Sequence, residues 1–236
     1  MQLSQWNRDA AQASKSSSRI TQPRQANALS RKVHLIALDL NGHGKTPDRQ
    51  APDVTRSYLE DIDTIMRSYD KPFLMGHSMG GALAQLYALE NPEKLSGLVL
   101  VGTGARLRVA PIIFDFLDKD PDAYFDAIPK FMFHESTPRI IVETSQAQAR
   151  ECPVQIIRRD FEVCNSFDVM QDVSRISLPA LIAVGDSDVM TPLKHASYLH
   201  EKIAGSDLRI IPQAGHAAML EKPSDFNQAV LDWLKL

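Results

Sequence analysis

Apolar positions fall into two alternating kinds of segment along this chain. Near-continuous apolar runs occupy residues 33–40, 73–75, 95–101, 178–184 and 208–211. Runs of this kind suit strands buried on both faces of a parallel sheet. Between them the spacing lengthens to that of a helix. In 56–69, Tyr58, Leu59, Ile62, Ile65, Met66 and Tyr69 share one face, and Lys71-Pro72 ends the pattern. A second helix is predicted over 82–89, stopped at Asn91-Pro92, and a third over 192–204 with Gly205 as its cap. A last helix opens at Lys222-Pro223 and aligns Phe226, Val230, Trp233 and Leu234. Strand and helix in alternation predict an α/β fold, a mostly parallel sheet flanked by helices and joined by right-handed crossovers.

Two stretches break the alternation. Residues 105–176 are helical and irregular, rich in aromatics and punctuated by prolines at 111, 121, 129, 138 and 153. They predict a helical lid insertion over the C-terminal edge of a core formed by 33–104 and 177–236. Most of its aromatics are expected to fill its own interior, and a few, with Phe114, Phe131 and Phe161 as candidates, to face a pocket. Residues 1–32 carry six basic side chains against the single acid Asp9, with Ser16-Ser17-Ser18 and scattered glutamines. That composition predicts a polar, disordered segment with at most a short helix over 25–30. It is also compatible with an organelle transit peptide.

The bulk numbers narrow the function. At 44% hydrophobic and 23% charged, the 236 residues have an ordinary globular composition. A net charge of −3 gives no support to a nucleic-acid or anionic-membrane partner. Cys152 and Cys164, without metal-ligand spacing, read as free thiols in a reducing compartment. No apolar run has the length of a membrane span, and no signal peptide is visible, so a cytoplasmic location is expected.

The chemistry is concentrated at Gly76-His77-Ser78-Met79-Gly80-Gly81, between the strand at 73–75 and a helical pattern. A serine is presented at the top of a sheet only by a very sharp turn, and Gly76 and Gly80 remove the side chains that would collide there. The N–H of Met79, at a helix N-terminus, then points to where an oxyanion would form. A serine is inert without a base held by a carboxylate. Two loops lie at the same sheet edge: Asp186 and Asp188 follow the strand at 178–184, and His216 follows the strand at 208–211.

Four segments in order, Asp-Leu-Asn-Gly-His-Gly-Lys-Thr at 39–46, Gly-His-Ser-Met-Gly-Gly at 76–81, Gly-Asp-Ser-Asp-Val-Met-Thr-Pro at 185–192 and Gly-His-Ala-Ala-Met-Leu-Glu-Lys-Pro at 215–223, resemble the α/β-hydrolase fold family. Within it they resemble the lid-bearing esterases, lactonases, C–C hydrolases and haloperoxidase-like enzymes. The resemblance implies Ser78 as nucleophile, His216 as base and then acid, and Asp188 as orienting carboxylate. Asp188 is preferred to Asp186 because the family's acid stands three residues after the glycine, leaving Asp186 to cap its loop. It implies no metal and no organic cofactor, and a small-molecule carbonyl substrate: an ester, thioester, lactone or diketone. His77 is expected to pack under the turn and His43 to organise its loop. His34, His134, His195 and His200 are expected in ordinary surface or core roles.

One feature departs from the family. Its strand ending in His-Gly, whose loop gives the second oxyanion N–H, has no match in 1–32. The chain therefore reads as shortened at its N-terminus, with one oxyanion donor fewer, a loss of about 10²–10³ in rate. It also reads as having a gap in the sheet. Either 33–40 moves across to pair with 73–75, or the product is poorly stable. The departure supports a rival, a catalytically impaired hydrolase fold with a binding role or none. Perhydrolysis or lyase chemistry on the same residues is a third reading.

Overall fold

The computed structural model describes residues 3–7 and 29–236. Its centre is a six-stranded sheet in the order β2-β1-β3-β4-β5-β6. The strands are β1 (Leu3–Asn7), β2 (His34–Leu38), β3 (Phe73–His77), β4 (Gly97–Val101), β5 (Ala180–Gly185) and β6 (Asp207–Ile211). From β3 to β6 all neighbours are parallel. β4 and β5 are buried along their whole length, as their unbroken apolar sequences require.

The expected gap is filled by residues 3–7, which corrects the reading of that stretch as part of a disordered segment. β1 lies between β2 and β3 and runs antiparallel to both, pairing Leu3 with Leu38 and Gly76, and Trp6 with Leu35 and Phe73. Residues 34–38 therefore do not move across to β3. The physical reason is that two facing strand edges leave rows of unpaired N–H and C=O groups. A backbone ladder satisfies them with little demand on side-chain type, so Leu-Ser-Gln-Trp-Asn serves without an apolar run. β1's C-terminal end at Asn7 lies beside His34, at the edge opposite Ser78. The helix expected over 25–30 lies almost wholly outside the described residues, as does the rest of 8–28.

Helices cover the sheet. Val54–Met66 starts at Asp53, whose Oδ1 accepts the Arg56 N–H at 2.9 Å. It buries Tyr58, Leu59, Ile62 and Met66 against Met79–Glu90, which starts directly after Ser78, three residues earlier than the periodicity indicates. On the other face Pro223–Leu234 sets Phe226, Val230 and Leu234 against Val99, Val101 and Leu181.

Four helices stand between β4 and β5: Pro111–Lys119, Pro121–Met132, Arg139–Ala149 and Val154–Ser166. The first, second and fourth share an interior of Ile113, Leu117, Phe125, Ile128, Ile157 and Phe161, against which Ala149 of the third packs. Where the segment leaves and rejoins the sheet, Val169 N–H reaches Ala105 O at 2.8 Å, and Arg106 bridges to Asp168. Among the described residues, no helix is long and apolar enough to cross a membrane.

Candidate active site

Ser78 sits between β3 and the helix Met79–Glu90 with φ 54° and ψ −117°, a region a serine adopts only under strain of about 1–3 kcal/mol. The turn is held from two sides. Ser78 N–H donates to Val101 O at 2.9 Å, and Thr103 Oγ1 donates to Ser78 O at 3.0 Å. Backbone strain held in place this way fixes Ser78 at the C-terminal edge of the sheet, where the residue is buried. Met79 N–H belongs to the first helical turn, where donors point out of the helix end.

His216 follows β6 and Asp188 follows β5, so both reach the same edge. His216 Nδ1 lies 2.9 Å from Asp188 Oδ2, and the two side chains are 2% and 0% exposed. Asp188 Oδ2 also accepts Thr191 Oγ1 at 2.7 Å, and its Oδ1 accepts the N–H groups of Met190 and Thr191 at 2.9 and 2.8 Å. Burial alone would raise the Asp188 carboxyl above its usual range. The hydrogen bond and charge of His216, with the Thr191 bonds, outweigh it and hold the group low. Asp186 does not reach His216. It accepts Gln213 N–H at 3.0 Å and Ala214 N–H at 3.4 Å, fixing the loop that leads to the histidine.

His77 does more than pack under the turn. Its Nε2 lies 2.9 Å from the backbone oxygen of His216, and the two rings are 4.6 Å apart. A nitrogen facing a carbonyl must carry the hydrogen, so His77 donates and holds His216 from behind. Burial, and then the neighbouring His216, pushes the His77 pKa down from 6.5 to about 3. Unfolded His77 therefore takes up a proton below about pH 6.5 that the folded state refuses, so folding stability falls with pH from there towards 3. The expected slope from this group is at most about 1.4 kcal/mol per pH unit. Urea midpoints of the wild type and His77→Gln at pH 7 and pH 5 check it: the variant should lose less than the wild type over that interval.

Phe161 is buried among the helices between β4 and β5, its ring edge-on to Tyr124, while Phe114 and Phe131 pack partly buried against the same cluster. His43 is bound on both sides, Nδ1 at 3.1 Å from Asn41 O and Nε2 at 2.8 Å from Asp160 Oδ2. Asp160 Oδ1 accepts the buried Tyr58 hydroxyl at 2.6 Å, and Arg159 donates to Asn41 O at 2.9 Å. This network fastens the loop after β2 to the helix Val154–Ser166. Thr191, Asp160 and Glu221 are the polar residues that sequence reading passed over. Asp160 had a signal: it falls on the apolar stripe of Ile156, Ile157, Phe161, Val163 and Cys164, where a carboxylate needs a partner.

Comparison with known proteins agrees with this architecture. The family model described as serine aminopeptidase, S33, matches residues 16–223. The solved structure of a thermophilic esterase is 34% identical and superposes with a TM-score of 0.81, covering 90% of this chain and 84% of its own. A Variovorax paradoxus protein assigned the name carbamate hydrolase RutD is 26% identical over 229 residues, 90% of this chain and 85% of that protein. The pimeloyl-[acyl-carrier protein] methyl ester esterase of Neisseria meningitidis is 26% identical over 218 residues, 83% of this chain and 69% of that protein.

Proposed function

Because the chain belongs to the serine aminopeptidase S33 family and is an α/β hydrolase, we propose that it is a serine hydrolase working through Ser78, His216 and Asp188. Its substrates are small to medium carbonyl compounds: carboxylic esters first, with thioesters, lactones and carbamates as chemical neighbours. The observation that carries this reading is the buried hydrogen bond between His216 Nδ1 and Asp188 at the sheet edge that presents Ser78. The names of the relatives, esterases and a carbamate hydrolase, point to the same bond types.

The proposed steps begin at His216. With Nδ1–H committed to Asp188, the other ring nitrogen of His216 is free of hydrogen and accepts the Ser78 proton. Ser78 Oγ bonds to the carbonyl carbon, and Met79 N–H takes the charge that develops on the oxygen. His216 returns its proton to the leaving alcohol, and the acyl group stays on Ser78. Water then enters, His216 takes one of its protons, and the acid departs as Ser78 recovers its hydrogen. Asp188 stays ionised throughout and stabilises the imidazolium. The helices between β4 and β5 act as the lid over the pocket. The direction of β1 favours a slower version of the same reading. A strand running away from the Ser78 edge does not end in an oxyanion turn there, and a site that lacks a second donor is slower by about 10²–10³ in rate.

Labelling with a fluorophosphonate, followed by mass mapping, tests the proposal. The adduct is expected on Ser78, with labelling lost in Ser78→Ala. A folded protein that takes no label, or takes it elsewhere, overturns the reading.

A further inference from the structure

The segment that follows helix Pro121–Met132 lies directly on the His216 loop. Ala217 N–H donates to Met132 O at 3.0 Å. Gly215 is approached so closely that a Cβ there would stand 2.9 Å from Met132 O, His134 N and Phe133 C, all backbone atoms. Between the two segments sits Glu221, at the end of the short helix Ala218–Glu221 and only 8% exposed. Its two oxygens face opposite ways. Oε1 accepts Gly215 N–H at 2.8 Å. Oε2 accepts His134 N–H at 2.7 Å and Thr137 Oγ1 at 2.5 Å.

We propose that Glu221 is a positioning residue, which couples the placement of segment 132–137 to the placement of His216. The inference rests on the reading of His216 as the base of a Ser78 hydrolase. A buried carboxylate with three donors cannot release the Gly215 side cheaply, because that buried N–H is then left without a partner. Gly215 is the residue before His216, so an N–H drawn with Glu221 moves the base itself. If residues 132–137 shift, the strain is transmitted through one carboxylate to the ring that must meet Ser78 Oγ. A misplacement of about 1 Å at such a point costs on the order of a hundredfold in rate. The lid would thus govern assembly of the base as well as the shape of the pocket.

Saturation kinetics of fluorophosphonate labelling separate these two effects. Positioning acts on the limiting rate, kinact, while a change of pocket shape acts on the half-saturating concentration, KI. Glu221→Ala is expected to lower kinact by about tenfold or more with KI changed by less than about threefold. Glu221→Gln keeps an acceptor on only one side and should fall between Glu221→Ala and the wild type. Thr137→Val removes one lid bond and should lower kinact by about two- to threefold. Thermal melts show which variants fold, and Glu221→Gln carries the test where Glu221→Ala does not. A folded Glu221 variant that labels with wild-type kinact, or changes KI alone, overturns the coupling. A wild type that takes no label at Ser78 overturns the hydrolase reading, and the coupling with it.

Discussion

Asp188→Asn should lower kcat/KM by about 10⁴ while the protein stays folded. The size of the effect follows from which way the new amide must face. Asp188 Oδ1 accepts two backbone N–H groups, from Met190 and Thr191, at 2.9 and 2.8 Å. An amide nitrogen turned toward them would set donor against donor. The asparagine oxygen therefore stays on that side, and its NH₂ group takes the place of Oδ2, facing His216 Nδ1 and Thr191 Oγ1. The threonine hydroxyl rotates and accepts. The imidazole has no such freedom: Nδ1 must accept too, which moves its single hydrogen to Nε2. A ring protonated at Nε2 cannot take the Ser78 proton, and the negative charge that stabilised the imidazolium is gone. The measurement is steady-state hydrolysis of an activated ester, with a thermal melt as control. The same assay on Asp186→Asn supplies the contrast. Asp186 holds backbone N–H groups of Gln213 and Ala214, which an asparagine oxygen also accepts. Equal losses in the two variants would overturn the assignment of the acid.

How far the sequence carries can be judged from particular residues. β4 and β5 are legible because burial on both faces demands unbroken apolar runs, and Gly-Leu-Val-Leu-Val and Ala-Leu-Ile-Ala-Val-Gly supply them. The turn at Ser78 is legible because its glycines are required by sterics local to six residues. β1 is not. It is specified by two open strand edges more than by its own five residues, and an edge is a property of the assembled sheet. The same limit applied to Glu221. Its sequence neighbours show an acid before Lys222-Pro223, a common surface pattern, while its donors come from Gly215, His134 and Thr137. Such contacts join segments more than eighty residues apart in the chain at His134 and Thr137, where no periodicity reaches. Asp160 lies between these cases. Its place on an apolar stripe marks it as buried, and only the fold names Tyr58 and His43 as the partners that make burial tolerable.

Gly76→Ala is expected to be the most damaging substitution for stability. A Cβ at Gly76 would stand 2.1 Å from Gly80 O, 2.3 Å from Gly80 C and 2.5 Å from Gly81 N. All three are backbone atoms of the first helical turn, so no rotamer change relieves the contact. The helix Met79–Glu90 would have to move away from β3. That helix is anchored on the far side, with Leu83, Ala84, Tyr87 and Ala88 packed in the main core, so its displacement opens cavities while the turn remains strained. A loss of more than about 4 kcal/mol is expected, against a total of about 5–15 kcal/mol for a domain. Urea unfolding of whatever folded protein can be purified measures it, and little or none should accumulate. The loss should be far larger than that of Ser78→Ala, which deletes one hydroxyl and leaves the backbone path unchanged. If Gly76→Ala instead unfolds within about 1 kcal/mol of the wild type, the helix slides freely on the sheet. The strained φ of Ser78 would then not be held by its surroundings, and the serine would lose the fixed position that nucleophilic attack requires.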